Sequence, residues 1–118
     1  MKKSVEKRSL KRFPSDIAIE YYLWKPLFWK KLFTGKIMNV SERGMFISTN
    51  TPSFPIDSLL EIYIPLNNNV LFIPAKDNTI VWRSLSSDNS CDGIGVELSN
   101  PPWEFKELVE GLRSASNT

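Results

Sequence analysis

The sequence contains no histidine and only one cysteine, Cys91, and these two scarcities exclude several classes of function. Without histidine there is no His-dependent catalytic triad and no His-ligated metal site. One cysteine supplies neither an intrachain disulfide nor the four ligands of a thiolate zinc site. No nucleophile–base pair and no phosphate-binding loop can be assembled from the other residues. We therefore expect neither an enzyme nor a resident metal or cofactor.

Long apolar runs are also missing, because no segment approaches the roughly 18 consecutive apolar residues of a transmembrane helix. The first four residues are typical of the start of a secretory signal, but the mostly charged segment Val5–Arg8 stands where its apolar core would be. We therefore expect a cytoplasmic protein. The 118 residues, 42% of them apolar and 24% charged, fit one ordinary globular domain.

Charge is distributed unevenly along the chain. Residues 1–36 carry ten Lys or Arg and three acidic residues, whereas residues 37–118 carry five and ten. The two parts therefore have net charges of +7 and −5. A basic segment on a mildly acidic body suggests an anionic partner such as a phosphate, a nucleic acid or a membrane surface, although a solvated tail has the same composition.

Alternating or apolar-rich segments predict short strands separated by turn residues. The predicted strands are residues 17–22, 36–40, 45–48, 59–64, 70–73, 79–82 and 93–98. The segments 70–73 and 79–82 form either one long bent strand or two strands broken at Pro74.

A C-terminal helix is predicted at about residues 102–113, because Phe105, Leu108, Val109 and Leu112 recur on one helical face. About six short strands and one helix favour a six-stranded antiparallel β-barrel with a C-terminal α-helix. We expect this barrel to occupy residues 13–118, with residues 1–12 forming a flexible basic arm.

Three motifs occur in order along the chain. Arg8–Arg12 reads R-x-x-x-R, Asn39–Gly44 reads N-x-S-x-x-G, and Trp82 is followed after a loop by the glycine-containing segment Gly93–Glu97. Each motif is weak alone, since R-x-x-x-R recurs by chance among 15 basic residues and N-x-S-x-x-G is commonly an ordinary turn. Together, their order and spacing resemble the PilZ domain, a family of bacterial receptors for cyclic di-GMP. The resemblance covers about residues 7–113 and implies the same barrel-and-helix fold.

The resemblance also implies roles for five residues. Arg8 and Arg12 would grip phosphate and guanine edges, because a guanidinium offers two parallel donors and also stacks on bases. Asn39 and Ser41 would meet the polar edge of a guanine at the barrel surface. Gly44 would allow a backbone φ that other residues resist and let the ligand approach the backbone.

Two lysines beside the arginines are lesser candidates for the same site. Lys7 precedes Arg8, and in this family a basic residue there accompanies binding of a stacked pair of ligand molecules. Lys11 precedes Arg12. The resemblance therefore leaves open whether one or two ligands bind, with a slight preference for two.

The segment Leu23–Phe33 is longer and more aromatic than a hairpin connection requires. Its aromatic side chains either fold back over the barrel as an extension of the core or form a contact with a protein partner or a membrane surface.

These patterns suggest three candidate functions, which differ in how well the residues support them. The leading one is a cyclic di-GMP sensor or adaptor whose N-terminal arm changes conformation on ligand binding and signals to a partner protein. The alternative is a PilZ-like interaction module of motility or pilus assembly that does not bind nucleotide. A single-stranded nucleic-acid-binding barrel is disfavoured, because the strands lack interleaved basic and aromatic residues.

Overall fold

The computed structural model describes residues 11–24, 32–51, 55–85 and 91–116. The strands are β1 (Phe13–Leu23), β2 (Leu32–Ser41), β3 (Gly44–Thr51), β4 (Leu60–Pro65), β5 (Val70–Ile73), β6 (Asn78–Leu85) and β7 (Cys91–Leu98), and the helix is α1 (Trp103–Ser116). The predicted β-barrel with a C-terminal helix is confirmed. The predicted number of six strands is wrong by one, since the described residues contain seven.

The additional strand arises at Pro74. Proline has no backbone N–H to continue a strand ladder, and a single 3-10 turn follows it at Ala75–Asp77. The segments on either side are therefore two separate strands, β5 and β6, rather than one bent strand.

All strand pairs are antiparallel, and the sheet has the order β5-β4-β1-β2-β3-β7-β6. The sheet curls until β6 meets the residues that precede β4. There the Ile80 N–H donates to the Ser58 carbonyl at 2.9 Å, and the Asp57 N–H donates to the Ile80 carbonyl at 2.8 Å.

The side chain of Asn78 completes this junction. It is 3% exposed, its amide nitrogen donates to the carbonyl oxygens of Leu60 at 2.7 Å and Pro74 at 2.8 Å, and its oxygen accepts from the Leu60 N–H at 3.0 Å. A buried amide with all these partners replaces the strand pairing that is missing at this point.

The concave face of the sheet and one side of α1 enclose the core. Its largest fully buried side chains are Tyr21, Ile37, Met45, Ile47, Leu60, Ile62, Ile64, Ile73, Ile80, Ile94, Leu98 and Phe105. The predicted helical face is confirmed, because Phe105 and Val109 are buried and Leu108 and Leu112 pack against the core. The helix continues three residues beyond the predicted end at 113.

Candidate functional site

Asn39 reaches the outer face of the sheet through a β-bulge. Ile37 and Val40 are both fully buried although they lie three residues apart, which strict alternation along a strand does not allow. Between Ile37 and Asn39 the register of β2 with β3 shifts, because β2 contains one residue more than β3 at this point. This one-residue insertion turns Asn39 outward. Asn39, the first residue of the N-x-S-x-x-G motif, therefore lies on the convex surface of the sheet.

A second bulge brings Trp82 to the same face. Ile80 pairs with Val96 and Trp82 pairs with Gly95, so Val81 is an extra residue in β6. Because of that insertion, Trp82 points away from the core and remains 50% exposed, whereas Ile80 is fully buried.

The two bulges align outward-facing residues in two neighbouring rows across β2, β3, β7 and β6. One row, here called the aromatic row, is Asn39, Phe46, Gly95 and Trp82. The other, called the polar row, is Ser41, Gly44, Glu97 and Thr79. The Phe46 and Trp82 rings approach to 5.5 Å between centroids. Two glycines of β7 leave room for them, since a Cβ on Gly93 would lie 2.5 Å from the Phe46 ring and one on Gly95 would lie 3.3 Å from the Trp82 Cβ.

Arg12 joins the first motif to the second. It precedes β1, and its Nη1 donates a hydrogen bond to the Asn39 Oδ1 at 2.9 Å. Two side chains that stand 27 residues apart in the sequence are thus in direct contact at the end of the aromatic row. The fold brings together the two motifs that the sequence could only place in order.

The structure gives a reason for glycine at position 44 that differs from the expected one. None of the described glycines has a positive φ, so the turn does not require glycine for its backbone conformation. A Cβ atom on Gly44 would instead lie 2.6 Å from the Val96 carbonyl oxygen of β7, which is closer than real Cβ contacts. The glycine therefore allows β3 and β7 to pair closely, and the expectation about φ is wrong.

The rows border an open cavity of about 950 Å³. The residues that line it are Arg12, Asn39, Ser41, Arg43, Gly44, Phe46, Val81, Trp82, Gly95, Val96 and Glu97. Its volume is that of a typical small-molecule site, and it combines two guanidinium groups, two aromatic rings, an amide and one carboxylate. Such a lining suits an anionic ligand that carries aromatic bases.

The cavity confirms that Arg12, Asn39, Ser41 and Gly44 lie together, although the ligand roles given to them stay predictions. Ser41 is 3% exposed at the end of β2. Lys11 is exposed and does not line the cavity.

Lys7 and Arg8 lie outside the described residues, as do residues 25–31 of the aromatic segment. The described ends of that segment differ, since Phe33 stacks on Tyr21 at 5.6 Å whereas Trp24 and Leu32 are exposed.

Seven lining residues were not among the sequence-predicted site residues, and four of these seven carry a charge or an aromatic ring: Arg43, Phe46, Trp82 and Glu97. Trp82 and Glu97 belong to the third motif, so the sequence did point to them. The face of the sheet on which they lie, however, depends on the register between paired strands. Arg43 occupies a variable position of N-x-S-x-x-G, and Phe46 follows the motif as an ordinary strand residue.

The β2–β3 turn is also tied to the end of α1. Arg113 forms a salt bridge with Glu42 at 3.2 Å and lies over the Phe13 ring at 5.4 Å from its centroid. Glu42 sits between the cavity residues Ser41 and Arg43, so this salt bridge links the helix to the turn at the cavity.

Two other site types are absent from the described part of the chain. No described helix has the length and apolar character needed to span a membrane. The same residues contain no cluster of three or more side chains of the metal-ligating types His, Cys, Asp and Glu.

Comparison with known proteins identifies a family and a solved structure of similar fold. A model of the PilZ domain matches residues 6–113 of the chain. The fold is similar to that of the PilZ domain with c-di-GMP of YcgR from Escherichia coli, with a TM-score of 0.66, 10% sequence identity, and coverage of 93% of this chain and 94% of that one. No curated protein is significantly similar in sequence.

Proposed function

The chain belongs to the PilZ domain family, and on that premise we propose that it is a receptor for cyclic di-GMP rather than an enzyme. The observation that carries the proposal is the contact between Arg12 and Asn39 at the mouth of the cavity. A structurally similar PilZ domain, that of YcgR, is described with c-di-GMP, and this supports the same ligand class here.

Each part of the ligand has a chemically suited group in the cavity. The phosphates and the O6/N7 edge of guanine are acceptors for the forked donors of Arg12 and Arg43. A guanine face would stack on Trp82, whose exposed ring lies 5.5 Å from the Phe46 ring between centroids. Stacking of a base on an aromatic side chain is worth about 1–3 kcal/mol.

Asn39 already accepts one hydrogen bond from Arg12 and keeps its amide NH₂ as a donor. Before ligand arrives, this contact holds the exposed guanidinium beside the cavity. Pre-positioning of this kind lowers the ordering cost of binding.

We further propose that the receptor signals through its N-terminal arm. Ligand phosphates would neutralise the basic residues that precede β1, and the arm would then fold over the ligand onto the Asn39–Gly44 turn. The reshaped surface, together with Leu23–Phe33, is where we place a downstream protein partner.

Isothermal titration of the purified protein with cyclic di-GMP tests the proposal. We expect wild-type protein to bind and Arg12→Ala to abolish measurable binding, since loss of one bidentate charged contact costs roughly 1–3 kcal/mol or more. Lys11→Ala is the matched control, because it removes a neighbouring charge that does not line the cavity. Wild-type affinity in Arg12→Ala would refute the site, and absence of binding to wild-type protein would favour the interaction module.

The same titration gives the stoichiometry. The positive charge of Lys7 beside Arg8 would offset some of the four phosphate charges of a stacked ligand pair. We therefore expect two ligands per protein, and clean saturation at one to one would contradict this.

A further inference from the structure

Glu97 is the one carboxylate among the described residues that line the cavity. It lies on the outer face of β7, paired with Gly44 on one side and Thr79 on the other. Because Gly44 has no side chain, the residue opposite Glu97 on β3 does not cover it. Glu97 is a half-buried residue of the polar row.

Within the described part of the chain, no salt bridge joins Glu97 to Arg12 or Arg43, although all three line the same cavity. The Arg12 guanidinium contacts Asn39 instead. Glu97 is therefore not neutralised by the two cations that would attract the ligand phosphates.

A free carboxylate in a site for a dianion is unfavourable unless it meets hydrogen-bond donors, because like charges repel. An ionised carboxylate is an acceptor only. The Watson–Crick edge of guanine carries two adjacent donors, N1–H and the N2 amino group, which match the two carboxylate oxygens. Adenine offers a donor at N6 but an acceptor at N1, so it matches only one of them.

We propose that the Glu97 carboxylate reads the Watson–Crick edge of one guanine and thereby sets a preference for guanine over adenine dinucleotides. The inference rests on the proposed function of the site. Gly95 and Glu97 are two residues apart on one face of β7, so their rows lie roughly 7 Å apart. A purine stacked on the aromatic row therefore directs one edge at the polar row.

The variant Glu97→Gln tests this assignment, since it keeps the shape of the side chain and replaces one acceptor oxygen with a donor. Titrations of wild-type and variant protein with cyclic di-GMP and cyclic di-AMP are compared at one salt concentration. We expect Glu97→Gln to weaken cyclic di-GMP binding about tenfold or more and to narrow the preference over cyclic di-AMP. Glu104→Gln, which removes an exposed carboxylate on α1, should change neither affinity.

The opposite outcome has a distinct physical meaning. If Glu97 only repels phosphate, its neutralisation makes both dinucleotides bind more tightly, and that result would overturn the assignment. Unchanged affinity and preference in Glu97→Gln would overturn it as well. Wild-type protein that binds neither dinucleotide would instead overturn the proposed function, and with it this inference.

Discussion

Alanine at Gly44 is expected to destabilise the fold because the added methyl group meets backbone. A Cβ there would lie 2.6 Å from the Val96 carbonyl oxygen, and no flexible side chain can move aside to relieve that contact. Strands β3 and β7 would have to separate at the point where Gly44 pairs with Glu97. Overpacking of this kind costs about 1–3 kcal/mol.

Gly111→Ala is the matched control, because the same methyl group at that position meets nothing within 4 Å. Gly111 is an exposed residue inside α1, where alanine is favoured over glycine by about 1 kcal/mol. The same substitution should therefore have opposite signs at the two glycines.

Thermal unfolding followed by circular dichroism measures both variants. For a domain of this size, 1 kcal/mol corresponds to a change in Tm of about 4 °C. Gly44→Ala should lower the Tm by roughly 4–12 °C, and Gly111→Ala should raise it by about 4 °C. If Gly44→Ala melts like wild type yet loses ligand binding, the close packing of β3 on β7 is not what requires glycine, and the ligand-approach role is correct.

Three further predictions concern the barrel junction, the core and the arm. Asn78→Ala should lower the free energy of unfolding by about 3 kcal/mol in urea titrations, because it leaves the buried N–H and carbonyl of Leu60 without their partner. Tyr21→Phe should cost about 1 kcal/mol in the same assay, since it removes the 2.6 Å hydrogen bond between the buried Tyr21 hydroxyl and Thr49. Hydrogen exchange of residues 5–12 should slow in saturating cyclic di-GMP, because the ligand neutralises a basic segment that has few apolar anchors.

A specific experimental result would contradict each of these predictions. Asn68→Ala, in the exposed β4–β5 turn, should stay within about 0.5 kcal/mol of wild type, and equal stability of the two asparagine variants would contradict the role of Asn78. Tyr21→Phe as stable as wild type would show that the hydroxyl contributes nothing to stability. Equal protection of residues 5–12 with and without ligand would show that the arm does not change on binding.

The elements of the fold could be predicted because local sequence encodes them. Alternation in residues 17–22 and the apolar face Phe105–Leu112 depend on strand and helix periodicity alone. The arginine and asparagine motifs could be recognised for a similar reason, since each is a short pattern of residue types. The number of strands could not be predicted uniquely, because residues 70–82 could form one bent strand or two strands separated at Pro74.

The faces and contacts of the site were decided by tertiary structure. One extra residue in a strand moves every following side chain to the other face, so Asn39 and Trp82 reach the cavity only through bulges that pairing with β3 and β7 creates. The Val96 carbonyl oxygen, which leaves no room for a side chain at Gly44, belongs to β7 and is more than 50 residues away in the sequence. Glu97 likewise becomes a site residue only because strand order places β7 between β3 and β6. Such contacts depend on register between distant segments, and no local pattern specifies that register.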